Sequence, residues 1–312
     1  MITVLAGGVG AARFLEGVVQ VAPPEQVTAI VNTGDDITLH GLYISPDVDI
    51  VTYTLAGIID ETNGWGIRGD TTNVLDMLTT LGADTSWFLL GDRDIATHIR
   101  RTELLRAGKT PAEIADEFRR ALGVQTRVLP MSNEPVATMI DTPSGLMHFE
   151  NYLVQRHAQD EVRGVVFQGT EDARPAPGVL EAIREAEVVL IAPSNPIVSV
   201  GTILAVPGVR AALRETAAPV VAVSPIVGGA AIKGPAAPLM QAQGYEVSAR
   251  GVADCYRDIA DALVIDQVDA DLADDIRARG LDVVITDTIM RGPAEKRALA
   301  QAALDAARSV TR

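Results

Sequence analysis

The sequence is short of cysteine and of positive charge. Its single cysteine, Cys255, rules out a disulfide within the chain and argues against a zinc site built from thiolates. Lys and Arg number 26 against 41 Asp and Glu, which gives a formal net charge of −15. Such a surface repels nucleic acid and anionic membranes, so neither is expected as a partner. An anionic substrate therefore needs local relief from Arg, Lys, a helix N-terminus or a divalent metal ion.

Long hydrophobic runs and histidine pairs at metal-binding spacing are also missing. The longest apolar stretch, VVAVSPIVGGAAI, is broken by proline and glycine and is too short to cross a bilayer. The four histidines are scattered and form no H-E-x-x-H motif, which disfavours a zinc hydrolase. No basic leader precedes the first predicted strand, so no signal peptide is expected. Together with the shortage of cysteine, this predicts a cytoplasmic protein.

Hydrophobic residues make up 47% of the 312 residues, and apolar strands alternate with amphipathic helices. The predicted strands are ITVLA, TAIVN, SWFLL, GVVFQG, VVLIAP, PVVAVSP and DVVITDT, and the predicted helices include 71–81, 177–186, 207–215 and 293–309. This alternation is typical of a Rossmann-like α/β fold, in which helices cover a mostly parallel sheet. Helices followed by short antiparallel strands predict a smaller α+β insertion or lid over 93–160, with 1–92 and 161–312 as the core.

The first turn, GGVGAARF, predicts an anion-binding site. Gly8 and Gly10 follow a buried strand and precede a helix, so free backbone N–H groups meet a helix N-terminus. A dinucleotide fingerprint requires a third glycine where Arg13 stands, and no acid ends the second strand, which disfavours an NAD-linked oxidoreductase. Arg13 suits a phosphate instead. The simpler alternative is an ordinary turn between a strand and a helix.

Two acidic segments, NTGDD and SPDVD, follow the second strand and contain Asp35, Asp36, Asp47 and Asp49. Carboxylate oxygens are the ligands that Mg²⁺ prefers, and Mg²⁺ keeps waters that substrate phosphates can replace. Solvated turns rich in Asp are the alternative for each segment taken alone. Because a glycine turn lies nearby, the combination favours metal-assisted phosphate chemistry.

Polar and glycine-rich loops follow two later strands. APSNP supplies Ser194 and Asn195, which can cap a helix and contact a ligand. IVGGAAIKG supplies Gly228 and Gly229, whose backbone amides can approach a phosphate, and Lys233, which adds charge. This loop is not a Walker A motif, because G-x-x-x-x-G-K-[ST] is absent.

The segment GWGIRGDT predicts a surface for a planar ligand, although its Thr71 or Asp70 can equally cap the next helix, and GDRDIATHIRR predicts an arginine at the ligand edge of the sheet. Trp65 offers a flat ring in a chain with only 4% aromatic residues, and Arg93 is expected at the exit of strand SWFLL. Asp94 and His98 lie four residues apart and can pair on one helix face. The basic residues Arg100, Arg101 and Arg106 are expected on a solvated face.

The chain resembles the 2-phospho-L-lactate transferase family of coenzyme F420 biosynthesis over nearly its whole length. The matching segments are GGVGAARF, VNTGDD, SPDVDIVTYTLAG, GWGIRGDT, GDRDIATHIRR, LPMSNEPV, GLMHFENYLV, APSNPI, VSPIVGGAAIKGPA and the late TDT. The resemblance implies that the ribityl hydroxyl of the deazaflavin Fo attacks a guanosine diphosphate ester of lactate or of enolpyruvate, and that GMP leaves. It also implies Mg²⁺ as cofactor and a homodimer.

The resemblance also implies roles for individual residues. Asp35 and Asp49 are the expected Mg²⁺ ligands, with Asp36 or Asp47 as possible replacements, and Asp35 or Asp36 is expected to accept the hydroxyl proton. The acceptor site is expected to contain Asp49, Arg93, Trp65 and Thr33. The donor site is expected to contain Gly8, Gly10, Arg13, Ser194, Asn195, Gly228, Gly229 and Lys233.

Two questions stay open at this point. A nucleotide-sugar-binding regulatory protein on the same scaffold is the alternative function, although the acidic loop of such proteins is longer and richer in Gly and Ser than NTGDDITLHG. The sequence does not distinguish a lactate donor from an enolpyruvate donor, because the two differ by one unsaturated carbon pair.

Overall fold

The structure of the chain is a computed structural model that describes residues 1–84 and 87–310. The strands are β1 Ile2–Ala6, β2 Val27–Val31, β3 Ile37–Leu39, β4 Leu42–Ile44, β5 Arg127–Pro130, β6 Ala137–Thr142, β7 Gly145–His148, β8 Gly164–Gln168, β9 Val188–Ile191, β10 Val220–Val223, β11 Ile226–Val227, β12 Ala230–Ala231, β13 Ala262–Asp266 and β14 Asp282–Thr286.

The helices are α1 Gly8–Val21, α2 Pro46–Leu55, α3 Asn73–Thr80, α4 Asp92–Arg106, α5 Pro111–Ala121, α6 Val179–Arg184, α7 Val200–Ala205, α8 Val209–Glu215, α9 Ala236–Ala242, α10 Ala249–Tyr256, α11 Ala273–Arg277 and α12 Pro293–Ser309. Short 3₁₀ turns occupy Pro24–Gln26 and Gln267–Leu272, and Asn151–Gln155 is a single π-helical turn.

A seven-stranded parallel sheet with the order β14-β13-β10-β9-β1-β2-β5 forms the centre of the molecule. Its middle strands β1, β2, β9 and β10 are buried throughout because helices cover both faces. Successive side chains point to opposite faces, so Val4 packs in the core under α1, α2 and α12, while Leu5 packs in the core on the other side. The predicted Rossmann-like α/β fold is confirmed.

The strand order reverses between β1 and β9. The chain runs from β1 outward to β2 and β5 on one side of the sheet, then returns to β9 and continues outward on the other side. The helices that follow β1 and β9 therefore pack on opposite faces of the sheet, and a crevice forms at its carboxyl edge. Open α/β sheets bind their ligands at such a point.

Several strand predictions were wrong. The segment predicted as strand SWFLL is irregular over 87–90, and its Ser86 lies outside the described residues. Its apolar residues Phe88 and Leu90 instead pack in a small cluster with Ile44 and Ile95. Strand β13 was missed, since its short apolar run leads directly into the acidic segment DQVDADLADD.

The predicted insertion contributes to the central sheet. Strand β5, which was expected to be antiparallel, pairs in parallel with β2 at the sheet edge. Strand β8, predicted among the core strands, instead pairs antiparallel with β6 in a separate sheet of order β7-β6-β8. The division of the chain into a core and a lid stays a prediction.

The helix predictions agree with α3, α6, α8 and α12 to within two residues at each end, and Pro111 begins α5 as expected. A capping box between Thr110 and Glu113 fixes that start. Within residues 1–84 and 87–310, no helix has the length and apolar character that crossing a bilayer requires.

Candidate active site

A cavity of about 1280 Å³ occupies the crevice at the carboxyl edge of the sheet. Loops after β1, β2, β9, β10 and β14 form its walls, together with α2, α4 and the segment after β7. A pocket for one small ligand usually measures about 300–1000 Å³. The cavity is therefore large enough for two substrates side by side.

The glycine turn after β1 lines the cavity as predicted, and it allows two loops to approach closely. Gly8 has a left-handed φ of +69°, which favours glycine. A Cβ on Gly10 would lie 2.4 Å from the carbonyl oxygen of Pro193 in the loop after β9. Glycine at position 10 therefore allows the β1 and β9 loops to meet at the point where the strand order reverses.

We expect Gly10→Ala to destabilise the fold by about 1–3 kcal/mol, because the new methyl group meets backbone that cannot move aside easily. Gly164→Ala is the matched control, since a Cβ there meets nothing within 4 Å, and we expect it to change stability by less than about 0.5 kcal/mol. Urea unfolding of both variants measures the difference. Equal stability of the two variants would contradict this interpretation of Gly10.

The loop after β9 places Ser194 and Asn195 in the cavity wall. The hydroxyl of Ser194 is buried and has no hydrogen-bond partner within the described residues. The side-chain oxygen of Asn195 accepts hydrogen bonds from the backbone N–H groups of Ile197 and Val198. A buried hydroxyl without a partner is costly, so Ser194 is suited to bond a ligand.

Positive charge gathers in one part of the cavity wall. Arg13 and Lys233 both line the cavity; burial lowers the pKa of Lys233, and the charge of Arg13 lowers it further. Lys233 Nζ donates a hydrogen bond to the backbone oxygen of Asn63 at 2.8 Å. Arg291, which was not predicted from the sequence, also lines the cavity and pairs with Asp287. An anion such as a diphosphate would relieve the repulsion between Arg13 and Lys233.

Gly228 and Gly229 do not belong to the described lining of the cavity. They form the two-residue turn between β11 and β12, where φ is +58° and +77°. Two left-handed residues are the requirement of a type I′ hairpin turn. The structure therefore does not bring these glycines to the cavity wall. They shape the hairpin that precedes Lys233, and their contact with phosphate stays a prediction.

Two aspartates come together beside the glycine turn. Asn32 Nδ2 lies 3.0 Å from Asp35 Oδ2 and 3.0 Å from Asp47 Oδ2, so one amide serves both carboxylates. Asp35 Oδ1 is buried and has no hydrogen-bond partner among the described residues. Burial raises the pKa of Asp35 well above its usual value, and the charges of Asp47 and Glu150 raise it further. Burial also raises the pKa of Asp47 to about 6, although hydrogen bonds from the Asn32 side chain and the Gly8 backbone lower it.

Glu150 is a third carboxylate in this part of the cavity, and sequence reasoning missed it. It follows β7 in the segment HFEN, is buried and lines the cavity. Burial and the charges of Asp47 and Asp36 raise its pKa to about 8. The only sequence signal for Glu150 is its position in GLMHFENYLV, one of the segments in which the chain resembles the transferase family. We call Asp35, Asp47 and Glu150 the carboxylate cluster.

Asp36 and Thr33 lie behind the cavity wall, not in it. Both line a separate cavity of about 20 Å³, large enough for a single water molecule. Asp36 accepts hydrogen bonds from the hydroxyls of Tyr43 at 2.8 Å and Ser45 at 2.7 Å. Burial raises its pKa to about 7. The structure therefore does not bring these two predicted residues to the large cavity.

Asp49 is paired with Arg101, whose predicted solvated position was wrong. Arg101 is buried and donates to both carboxylate oxygens of Asp49. The same guanidinium lies 3.2 Å from His98 Nδ1 and over the ring of Phe118. Asp49 and Arg101 face each other only because α2 packs beside α4, and this contact is not visible in the periodicity of either helix.

The ligand atoms of Asp49, Asp94 and His98 lie within 4.8 Å of one another, an arrangement that can hold a metal ion. The predicted pairing of Asp94 and His98 is seen, with Asp94 Oδ1 3.5 Å from His98 Nε2. However, Arg101 already neutralises Asp49, and its charge repels a second cation. Asp49 is consequently a poorer partner for Asp35 at a metal than Asp47 is.

We expect Arg101→Leu to destabilise the protein by about 3–5 kcal/mol, because it leaves the Asp49 carboxylate buried without a counter-charge. Arg100→Leu is the control, since Arg100 is half-exposed and pairs with Glu103 and Glu117 at the surface. Such pairs contribute about 0–1 kcal/mol. Urea unfolding distinguishes the two, and a small loss in Arg101→Leu would contradict the importance of the buried pair.

Aromatic side chains also line the cavity. Trp65 is among them as predicted, joined by Tyr53, Trp87 and Phe88. Trp65 lies two residues after Asn63, whose backbone oxygen accepts the hydrogen bond from Lys233. Arg93 is not in the described lining: its guanidinium is exposed and donates to the backbone oxygen of Arg68 at 2.8 Å. The cavity thus combines cationic side chains, the carboxylate cluster and aromatic rings.

Comparison with known proteins identifies the family. A sequence model described as 2-phospho-L-lactate transferase CofD matches residues 2–304. The chain belongs to the CofD family. A phosphoenolpyruvate transferase of Streptomyces griseus is 44% identical over 99% of both chains. A 2-phospho-L-lactate transferase of Methanococcoides burtonii is 41% identical over 92% of this chain and 93% of its own length.

Among solved structures, a member of the UPF0052 family from Bacillus halodurans is similar with a TM-score of 0.65. It covers 97% of this chain and 98% of its own, at 20% sequence identity. That likeness supports the Rossmann-like architecture of this CofD family member. The relatives of higher identity, by contrast, carry names of transferases, and the chain thus belongs to a family of transferase enzymes.

Proposed function

We propose that this CofD family member transfers a phospholactate or phosphoenolpyruvate group from a guanosine diphosphate-linked donor to the ribityl hydroxyl of the deazaflavin Fo, with release of GMP. The observation that carries the proposal is the set of groups that share one cavity. The carboxylate cluster lies in a cavity that is also lined by Arg13 and Lys233 and by the aromatic rings of Trp87 and Phe88. That set suits an anionic nucleotide, a reacting centre and a planar acceptor.

The carboxylate cluster fits a magnesium ion. Asp35 and Asp47 are buried together with an unpartnered Oδ1 on Asp35, and their like charges oppose ionisation of both. A divalent cation would remove this repulsion, and hard oxygen ligands are what Mg²⁺ requires. Asp35 and Asp47 would hold the ion, with Asn32 keeping their carboxylates in place. When bound, Mg²⁺ would supply charge neutralisation for the donor's phosphate oxygens.

The donor is expected to lie along the β1 and β9 loops. Backbone N–H groups at the start of α1, the hydroxyl of Ser194 and the charges of Arg13 and Lys233 all face phosphate oxygens in this arrangement. These groups orient the distal phosphorus and stabilise the negative charge that develops during transfer. Phosphoryl transfer depends mainly on such alignment and charge stabilisation.

We expect the acceptor to bind against the aromatic side chains of the cavity. The rings of Trp65, Trp87 and Phe88 provide flat apolar surface for a heteroaromatic ring system. A ribityl chain that leads from this surface toward the carboxylate cluster would present its terminal hydroxyl to the phosphorus. Following the family resemblance, we also propose a homodimer, which light scattering on the purified protein tests, and a cytoplasmic location.

The decisive experiment incubates the protein with Fo, Mg²⁺ and either donor, and reads product mass. We expect a phosphodiester of Fo and stoichiometric GMP, and competition between the two donors assigns lactate or enolpyruvate. Absence of turnover with both donors would overturn the proposal. Tight nucleotide-sugar binding without product would instead support the regulatory alternative.

A further inference from the structure

The acceptor hydroxyl must lose a proton during the proposed transfer, and several cavity acids are already committed. Asp49 is neutralised by Arg101, and Asp94 accepts from the hydroxyl of Tyr53 at 3.0 Å. Asp35 and Asp47 share the amide of Asn32, and as metal ligands their lone pairs would face the cation. A carboxylate bound to a cation is a weak base because the cation stabilises its ionised form.

Asp36, an expected base, is unsuitable for a different reason. Both of its oxygens accept hydroxyl hydrogen bonds, one from Tyr43 and the other from Ser45. It lines the small cavity behind the wall and not the large one. A general base must come within hydrogen-bond reach of the proton that it removes.

Glu150 meets the geometric requirements that the five aspartates considered above fail. It lines the large cavity, is only 6% exposed, and its carboxylate accepts no hydrogen bond within the described residues. It reaches the cavity from the segment after β7, whereas Asp35 and Asp47 come from the loop after β2 and from α2. A carboxylate that no protein donor holds is available to a substrate proton.

We propose that Glu150 is the general base of the transfer, a catalytic residue for the reaction given under the proposed function, on which this inference rests. The hydroxyl oxygen of the acceptor forms a bond to the distal phosphorus of the donor. The bond between that phosphorus and the bridging oxygen breaks, and this oxygen leaves on GMP. The hydroxyl proton passes to the Glu150 carboxylate and is released to solvent after the products depart.

The test compares Glu150→Gln with Glu161→Gln, an exposed glutamate that follows the insertion and pairs with Arg163 at the surface. We expect Glu150→Gln to lower kcat by about 10²–10⁴-fold, the usual contribution of a general base. The Kd for GDP and the Mg²⁺ concentration for half-maximal rate should stay within about threefold of the unsubstituted enzyme. Glu161→Gln should leave kcat unchanged.

Two controls keep the outcome interpretable. Glu150→Gln should melt no lower than the unsubstituted enzyme, because it removes a charge from a buried site beside other acids. Glu150→Asp, which keeps the carboxylate one methylene further back, should retain more activity than the glutamine variant. If the glutamine variant fails to fold, Glu150→Asp becomes the test. A Glu150→Asp activity that is no lower than the activity of Glu161→Gln would then overturn the assignment.

Two other results would also overturn the assignment. Full kcat in Glu150→Gln, with the unsubstituted enzyme active, removes Glu150 as base and leaves the proposed function intact. A large rise in the Mg²⁺ requirement would show that Glu150 is a metal ligand. An inactive unsubstituted enzyme would overturn the proposed function, and the inference with it.

Discussion

Asp35→Asn is expected to lower kcat/KM by about 10²–10⁴-fold and to abolish the response of the rate to added Mg²⁺. The substitution keeps the shape of the side chain but removes one of two charges that we propose to hold the metal ion. Charge stabilisation by a metal ion is worth several kcal/mol, and each 1.36 kcal/mol corresponds to about tenfold in rate. Initial rates over a range of Mg²⁺ concentrations measure the effect.

Asp274→Asn is the matched control for this substitution, since Asp274 is almost fully exposed and pairs only with Arg277 on its own helix. The control should keep both its rate and its Mg²⁺ dependence. GDP binding to Asp35→Asn, measured without metal, should persist, because Arg13 and Lys233 are untouched. A variant that keeps Mg²⁺-dependent turnover within about threefold would exclude Asp35 as a ligand.

The second large effect is a pH-dependent stability that Mg²⁺ reverses. The pKa values of Glu150, Asp36 and Asp47 are raised to about 8, 7 and 6 in the folded chain, chiefly by burial. A carboxyl group with a raised pKa binds its proton more tightly when folded. Its stabilising contribution is complete below the unfolded pKa near 4 and is lost as pH rises through the folded pKa.

The metal-free protein should therefore lose about 6 kcal/mol of stability between pH 5.5 and pH 9, because each of the three groups contributes about 1.4 kcal/mol for every pH unit by which its folded pKa exceeds 5.5. We propose that added Mg²⁺ binds the ionised Asp35 and Asp47, so it should raise the melting temperature at pH 8.5 and have little effect at pH 5.5. Thermal melts with EDTA or with Mg²⁺ at the two pH values measure this.

The variant Asp47→Asn supplies the control for the pH experiment. Removing one acid of the cluster should flatten the metal-free pH dependence and weaken the stabilisation by Mg²⁺ together. A stabilisation by Mg²⁺ that is equal at both pH values, or that survives in Asp47→Asn, would contradict a site on the carboxylate cluster.

The parts of the site that follow from local chain geometry could be predicted from the sequence. Gly8, Gly10 and Arg13 lie at the end of a buried strand and the start of a helix, and the sheet then places them at its carboxyl edge. Ser194 follows in the same way from β9. In each case the strand and its loop are neighbours in the chain, so the local pattern already fixes the position.

What could not be predicted depends on packing between distant segments. From the sequence of α4 alone, Arg101 is expected at the surface. Only the packing of α4 beside α2 reveals that Arg101 pairs with Asp49. Asp35 and Asp36 are adjacent in sequence, yet one lines the large cavity and the other lies behind it. Glu150 reaches the cluster from an insertion whose arrangement no periodicity reveals.

Glu150 belongs to the stretch between β5 and β8, and this position has a consequence for how members of the family diverge. The glycine turn, Arg13 and Lys233, which we propose to hold phosphate, are encoded outside that stretch, whereas Glu150, the proposed base, is encoded inside it. Changes confined to one contiguous part of the gene would therefore alter turnover and leave nucleotide affinity nearly intact. A ligand-binding protein without enzymatic activity can arise from such a scaffold by replacement of a single module.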